Sequence, residues 1–216
     1  MPRVAGIVVA AGGGARFGAA KQFLRLGDAR LVDHAVHTAA QCCDEVVVVL
    51  PAGMVWDGEP VRAAVPGGAT RSHSVRAGLA AVSPDADIVV VHDAARPLAG
   101  VGLFELVIDA VRAGADGAVP GLPVTDTLKR VGGGRVLDTV DRSGVVAVQT
   151  PQAFRAALLR GVHGEATDDA ALVEAAGGTV VVVAGDVRNL KVTSPGDLAV
   201  AEALLAAARS ATPRPW

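Results

Sequence analysis

Three aliphatic runs limit what this chain can fold into: residues 4–10 (VAGIVVA), 45–50 (EVVVVL) and 88–92 (IVVVH). Each is too short for a buried helix and lacks apolar–polar alternation, so each reads as a strand covered on both faces. Between them the period changes. Val32, Ala35, Val36, Ala39 and Cys43 fall at helical spacing, as do Val75, Leu79 and Val82. Residues 101–112 carry a third stripe of Leu103, Leu106, Val107, Ala110 and Val111. Further strands fit residues 61–65, 115–120 and 179–183. Strands alternating with helices predict an α/β fold: a Rossmann-like, mostly parallel sheet with helices on both faces. No linker or repeat divides the chain, so residues 1–216 are expected to form one domain.

Residues 123–149 break the alternation. Residues 127–131, Gly132-Gly133-Gly134 and residues 135–137 read as a hairpin with polar flanks. Such a hairpin has little core of its own and needs something to lean on. A protruding arm at about 123–148 is therefore expected, either folded back on its own domain or against a partner subunit. After it, residues 145–149 resume the sheet. Helices are expected at 155–162, at 168–176 with Thr167 as cap, and at 195–208 with Ser194 as cap and Pro195 first. Leu198, Ala201, Leu205 and Ala208 would form the buried stripe of the last helix.

Apolar residues are 51 % of the chain and aromatics only 3 %, so the core must be aliphatic. The net charge of −2, without a long run of one sign, gives no broad basic surface for nucleic acid. No stretch reaches the ~20 apolar residues of a membrane helix, and the N-terminus lacks the pattern of a secretory leader. Cys42 and Cys43 are neighbours and poorly placed to pair, so they read as free thiols of a reducing, cytoplasmic compartment.

In an open α/β sheet, ligands bind beyond the carboxyl ends of the strands. The loops after the strands therefore carry the functional reading. The first runs AAGGGARFGAAKQF from Ala10 to Phe23. Its glycines allow close backbone approach, successive N–H groups can cradle an anion, and Arg16 and Lys21 supply positive charge. A Walker loop is excluded because Lys21 is followed by Gln22, and the dinucleotide fingerprint misses its spacing by one residue. The third loop, GGATRSHS from Gly67 to Ser74, combines glycines with Arg71 and hydroxyls, although Thr70 or Ser72 would equally cap a helix there. The fourth, His92-Asp93-Ala94-Ala95-Arg96-Pro97, puts an aspartate at a strand's carboxyl end. That position suits Mg²⁺, which takes carboxylate and phosphate oxygens, or else an ion pair with Arg96. His92 reads as a packed histidine. Among 20 basic residues only Lys21, Lys129 and Lys191 are lysines, which marks them as candidates for positions needing a point charge.

Taken together, AAGGGARFGAAKQF, GGATRSHSV, VHDAARP, VTDTLKR, TVDRSG, QTPQAF, ATDDA and NLKVTSPGDLA resemble, in order, the motifs of 2-C-methyl-D-erythritol 4-phosphate cytidylyltransferases. The resemblance spans about residues 4–202. It implies transfer of CMP from CTP to a sugar-alcohol phosphate with release of pyrophosphate, in non-mevalonate isoprenoid synthesis. It also implies Mg²⁺ dependence and a homodimer embraced by the hairpin arm. Position by position, it assigns Ala10, Ala11, Gly12, Gly14, Arg16 and Lys21 to the triphosphate and nucleotide. Gly68, Arg71 and Ser74 go to the cytosine and ribose end, and Asp93 to the metal or nucleotide. Arg96, Thr127, Arg142, Thr150 and Thr167 go to the second substrate, with Arg142 acting across the dimer. Arg16, Lys21 and Lys191 are the expected catalytic groups. Val9 and Ala20 stand where the family often has proline, and Ala69 where it often has an acid; these changes remove no positive charge. The rival readings are a cytidylyltransferase for another polyol phosphate, such as ribitol 5-phosphate, and a non-catalytic CTP-sensing domain.

Overall fold

The computed structural model describes residues 1–12 and 20–211. Its first half repeats one theme. Strand β1 (Val4–Val9) leads through a 3₁₀ turn (Lys21–Phe23) and a minimal hairpin, β2 (Arg25–Leu26) with β3 (Ala29–Arg30), into α1 (Leu31–Cys42). Then follow β4 (Glu45–Leu50), β5 (Ala63–Pro66), α2 (Arg71–Ala81), β6 (Ile88–Asp93), α3 (Val101–Arg112) and β7 (Gly117–Pro123). The second half is less regular. It comprises β8 (Leu128–Gly132), β9 (Arg135–Val140), β10 (Val146–Val148), β11 (Gln152–Arg155), α4 (Ala156–Gly161), α5 (Asp169–Ala175), β12 (Val180–Ala184) and α6 (Pro195–Ala211).

The main sheet has the order β10–β7–β11–β6–β1–β4–β5, with β12 also paired to β7. Pairs β1–β4, β1–β6, β4–β5 and β7–β12 are parallel. Pairs β10–β7, β11–β6 and β11–β7 are antiparallel. The aliphatic runs are continuous because both faces are covered. Val4 and Val8, Val46 and Val48, and Ile88 and Val90 pack into one layer with α1 and α3. Ala5 and Ile7, Val47 and Val49, and Val89 and Val91 pack into the opposite layer with α2, α4 and α5. Each strand thus feeds two cores with alternate residues. A third cluster, around Leu26, Leu31, Val192 and Ala201, seats α6 against the β2–β3 hairpin.

Several expectations are corrected. The strand predicted at 61–65 lies at Ala63–Pro66, and that predicted at 115–120 at Gly117–Pro123. In α3 the buried stripe includes Phe104 and Ile108, whereas Leu106 is half exposed, because positions 103, 104, 107, 108 and 111 share one helical face and 106 falls beside it. In α6, Ala208 lies on the exposed face. Asp168, rather than Thr167, caps α5: its side chain accepts the Ala171 N–H at 3.1 Å. Strand β11 was unforeseen, and it sits antiparallel between β6 and β7 in the middle of the sheet.

The arm is a two-stranded sheet, β8 with β9, turning on Gly133 and Gly134 at φ +55° and +75°. Both values favour glycine and suit a two-residue hairpin loop. Val131, Val136 and Leu137 stand exposed on it. Both cysteines are free, and burial pushes the Cys43 thiol well above its ordinary range. Among the described residues no helix is long and apolar enough to cross a membrane.

Candidate active site

The carboxyl ends of β1 and β6 are in register, Val9 opposite Asp93, and the Ala94 N–H donates to the Val9 carbonyl at 3.0 Å. Two cavities open there. The first, about 280 Å³, is floored by residues 9–12 at the end of β1. Lys21 and Gln22 close one side and the β5–α2 loop the other. That loop lies close because Gly67 has no side chain: a Cβ there would fall 2.2 Å from that of Ala11. The Gly68 N–H donates to Ser74 Oγ at 3.2 Å, and that hydroxyl donates to the Thr70 carbonyl. Thr70 itself caps α2 by accepting the His73 N–H.

The second cavity, about 200 Å³, is lined by Arg96, residues 148–150, Gln152, Thr167 and Asp168. Arg71, Asp93 and Lys191 line both. They form the partition. Asp93 Oδ1 accepts Arg71 Nε at 3.1 Å, and Oδ2 accepts Lys191 Nζ at 2.7 Å. Arg71 Nη1 also donates to Asp169 Oδ2 at 2.7 Å. Burial pushes the Asp93 carboxyl upward, but Arg71 and Lys191 outweigh it and hold the group far below the usual carboxylate range. For Asp169, at the start of α5, burial wins and its carboxyl is raised despite Arg71. Two acids and two bases thus nearly cancel in a water-poor wall, which limits the cost of burying charge. Arg71 Nη2 remains buried without a protein partner, as does Arg96 Nε.

The sequence-predicted residues divide accordingly. Ala10, Ala11, Gly12, Lys21, Gly68, Arg71, Ser74 and Asp93 line the first cavity; Arg96, Thr150, Thr167 and Lys191 line the second. Gly14 and Arg16 lie outside the described residues. Thr127 and Arg142 line neither cavity. They stand exposed near the root of the arm, where Arg142 donates to the carbonyls of Val124 and Thr125. The expected alternative of an Asp93–Arg96 pair is not found: Arg96 Nη1 donates to the Asn189 carbonyl at 2.8 Å.

Sequence reasoning missed the scaffold behind these groups. Gln22 donates to the carbonyls of Ala10 and Gly12, pinning the start of the glycine loop. Lys21 Nζ donates to the Val192 carbonyl at 2.8 Å, joining that loop to the segment carrying Lys191. Fully buried Asn189 donates to the Thr150 carbonyl, and Gln149 donates to the carbonyls of Asp186 and Asn189. Their position beside Thr150 and Lys191 in the chain was the one signal available.

Known proteins share this architecture. The family model for 2-C-methyl-D-erythritol 4-phosphate cytidylyltransferase matches residues 4–207. A cytidylyltransferase of that name from Nocardia farcinica is 46 % identical, the alignment covering 94 % of each chain. The bifunctional enzyme IspD/IspF of Clavibacter michiganensis is also 46 % identical over 95 % of this chain. This chain spans a little over half of such bifunctional relatives, 55–58 % of their length. The crystal structure of the Thermus thermophilus cytidylyltransferase superposes with a TM-score of 0.82 at 38 % identity, covering 93 % of this chain and 98 % of that one. With its motifs, its sheet and its two cavities meeting at Asp93, this chain belongs to the 2-C-methyl-D-erythritol 4-phosphate cytidylyltransferase family.

Proposed function

We propose that the chain transfers CMP from CTP to 2-C-methyl-D-erythritol 4-phosphate, giving 4-diphosphocytidyl-2-C-methyl-D-erythritol and pyrophosphate in isoprenoid biosynthesis. The observation that carries this reading is the shared wall: Arg71, Asp93 and Lys191 face two cavities at once. CTP takes the first cavity and the methylerythritol phosphate the second, so their phosphates meet at that wall. A phosphate oxygen of the second substrate attacks the α-phosphorus of CTP. The new P–O bond forms as the bond to the β-phosphate bridge breaks, and pyrophosphate leaves with that electron pair. A phosphate monoester needs no protein base, which accounts for a site built from cations and backbone groups. The work is positioning two anions and stabilising an anionic transition state. Lys191, Arg71 and Lys21 supply fixed positive charge, and Arg16, outside the described residues, is expected to add to it. The buried Arg71 Nη2, lacking a protein partner, suits a phosphate or ribose oxygen.

Magnesium fits this donor set as a passenger of the nucleotide. Among the described residues Asp93 is the one carboxylate bordering both cavities, and no group of three His, Cys, Asp or Glu forms a cage. Mg²⁺ commonly takes one or two carboxylates and completes its shell with phosphate oxygens and water. Asp93 would hold it, and the ion would offset triphosphate charge. The arm, with its exposed Val131, Val136 and Leu137, supports a homodimer, the free thiols of Cys42 and Cys43 suit a reducing cytoplasm, and Arg142 near the arm's root would serve the neighbouring site.

Pyrophosphate release from CTP and Mg²⁺, with methylerythritol phosphate and ribitol 5-phosphate offered separately, tests the reading. Release with the first substrate alone is expected. Preference for ribitol phosphate would move the specificity, and tight CTP binding without release would make the domain a sensor.

A further inference from the structure

His92 sits behind Thr150, which lines the second cavity, and is 1 % exposed, its ring tilted against Phe104 at 5.1 Å between centroids. Its two nitrogens have different partners. Nε2 lies 3.1 Å from the Arg96 carbonyl, which only accepts, so Nε2 carries a proton. Nδ1 lies 3.2 Å from Thr150 Oγ1. That hydroxyl already accepts the Asp93 N–H at 3.0 Å. A neutral imidazole protonated on Nε2 leaves Nδ1 bare, and Thr150 must then donate its proton to it. Every donor in the set is satisfied by this arrangement. The buried Thr150 hydroxyl has spent its proton and keeps one lone pair.

We propose that His92 is a positioning residue that fixes Thr150 as a hydrogen-bond acceptor only, so that this point of the second cavity selects a substrate hydroxyl and rejects a phosphate oxygen. The phosphate is then left to Arg96 and Lys191, which only donate. The orientation of a polyol phosphate in the cavity follows: hydroxyl toward Thr150, phosphate toward the cations. This rests on the assignment of the second cavity to a polyol phosphate. A histidine serving only to fill space beside Phe104 would impose no such polarity.

The first test needs no substrate. Long-range ¹⁵N–¹H correlation spectra of the wild-type protein near neutral pH should show His92 as the neutral Nε2–H tautomer. The Nδ1–H tautomer or an imidazolium would overturn the proposal, because Thr150 could then donate. Absent turnover with the Nε2–H form intact would instead overturn only the substrate assignment. The second test is kinetic. His92→Phe keeps a ring beside Phe104 and removes both nitrogens. It should raise KM for the polyol phosphate by about tenfold, the scale of one lost hydrogen bond. KM for CTP should not change, since Thr150 and Arg96 line the second cavity but not the first. The effect should vanish in a Thr150→Val background. A lower Tm with both KM values unchanged, or fully additive effects, would reduce His92 to packing. Should His92→Phe fail to fold, the tautomer decides alone.

Discussion

Burial pushes the Asp93 carboxyl upward, yet Arg71 and Lys191 hold it well below the usual carboxylate range at the meeting point of the two cavities. The neighbouring cations differ in kind. Arg71 is a fork spanning two acids, Asp93 and Asp169, and is held in place by them. Lys191 is a point charge with a partly exposed side chain, and in the proposed reaction it leaves Asp93 for the incoming phosphate. Lys21 is tied to the Val192 carbonyl, one residue from Lys191. Lys21→Ala and Lys191→Ala should therefore each lower kcat by about 10²–10³, as loss of one preorganised donor to a charged transition state does elsewhere. Both variants should keep Tm within a few degrees of wild type, because neither lysine is a core residue; near-wild-type turnover in either would remove it from the machinery. The sequence singled out both lysines as exceptions in an arginine-rich chain. It assigned no role to Asp169, Asn189 or Gln149, whose importance lies in partners 37 to 98 residues away.

Among the elements, the parallel strands were legible because an unbroken aliphatic run of five or six residues has few other uses. Strand β11 was not: its four residues follow Thr150-Pro151 and read as part of a motif. Its central place comes from pairing with both β6 and β7, which no local pattern encodes. The start of α6 illustrates a local device that does act in sequence. Asp197 accepts the N–H of Thr193, the Thr193 hydroxyl and the N–H of Ser194. Chiefly through the Thr193 hydroxyl, these hold its carboxyl down at about 2, against an ordinary 3.8. A depressed folded pKa contributes stability that is present above the unfolded value and lost as pH falls through the folded one. The stability difference between wild type and Asp197→Asn should therefore be full above about pH 4 and shrink toward zero near pH 2, read by thermal melts. A constant difference across that window would show that the carboxylate charge contributes nothing to this turn. The turn follows directly from Lys191, so the variant also reports on how firmly that lysine is held.

At the scale of the whole molecule, the arm is the feature the single chain leaves unfinished. Among the described residues its two strands pair only with each other in the main-chain ladder, and a lone hairpin with exposed valines and leucine is marginal in water. A homodimer through the arm should appear in sedimentation of the wild-type protein, and Leu137→Asp with Val136→Asp should shift it toward monomer. CTP binding should survive in that monomer, since the first cavity takes nothing from the arm, while turnover should fall if Arg142 serves the neighbouring site. A monomeric wild type with full activity would assign the arm to its own domain. By itself the sequence determined the α/β plan with helices on both faces of the sheet, the loops at the carboxyl ends of the strands and most residues lining the cavities, because hydrophobic period and glycine–cation loops act over a few residues. Only the tertiary structure decided that Arg71, Asp93 and Lys191 form one wall between two cavities, that β11 divides the sheet, and that His92 meets a threonine 58 residues on. Those relations depend on strand order and register, which arise from packing between distant segments and leave no periodic trace in the chain.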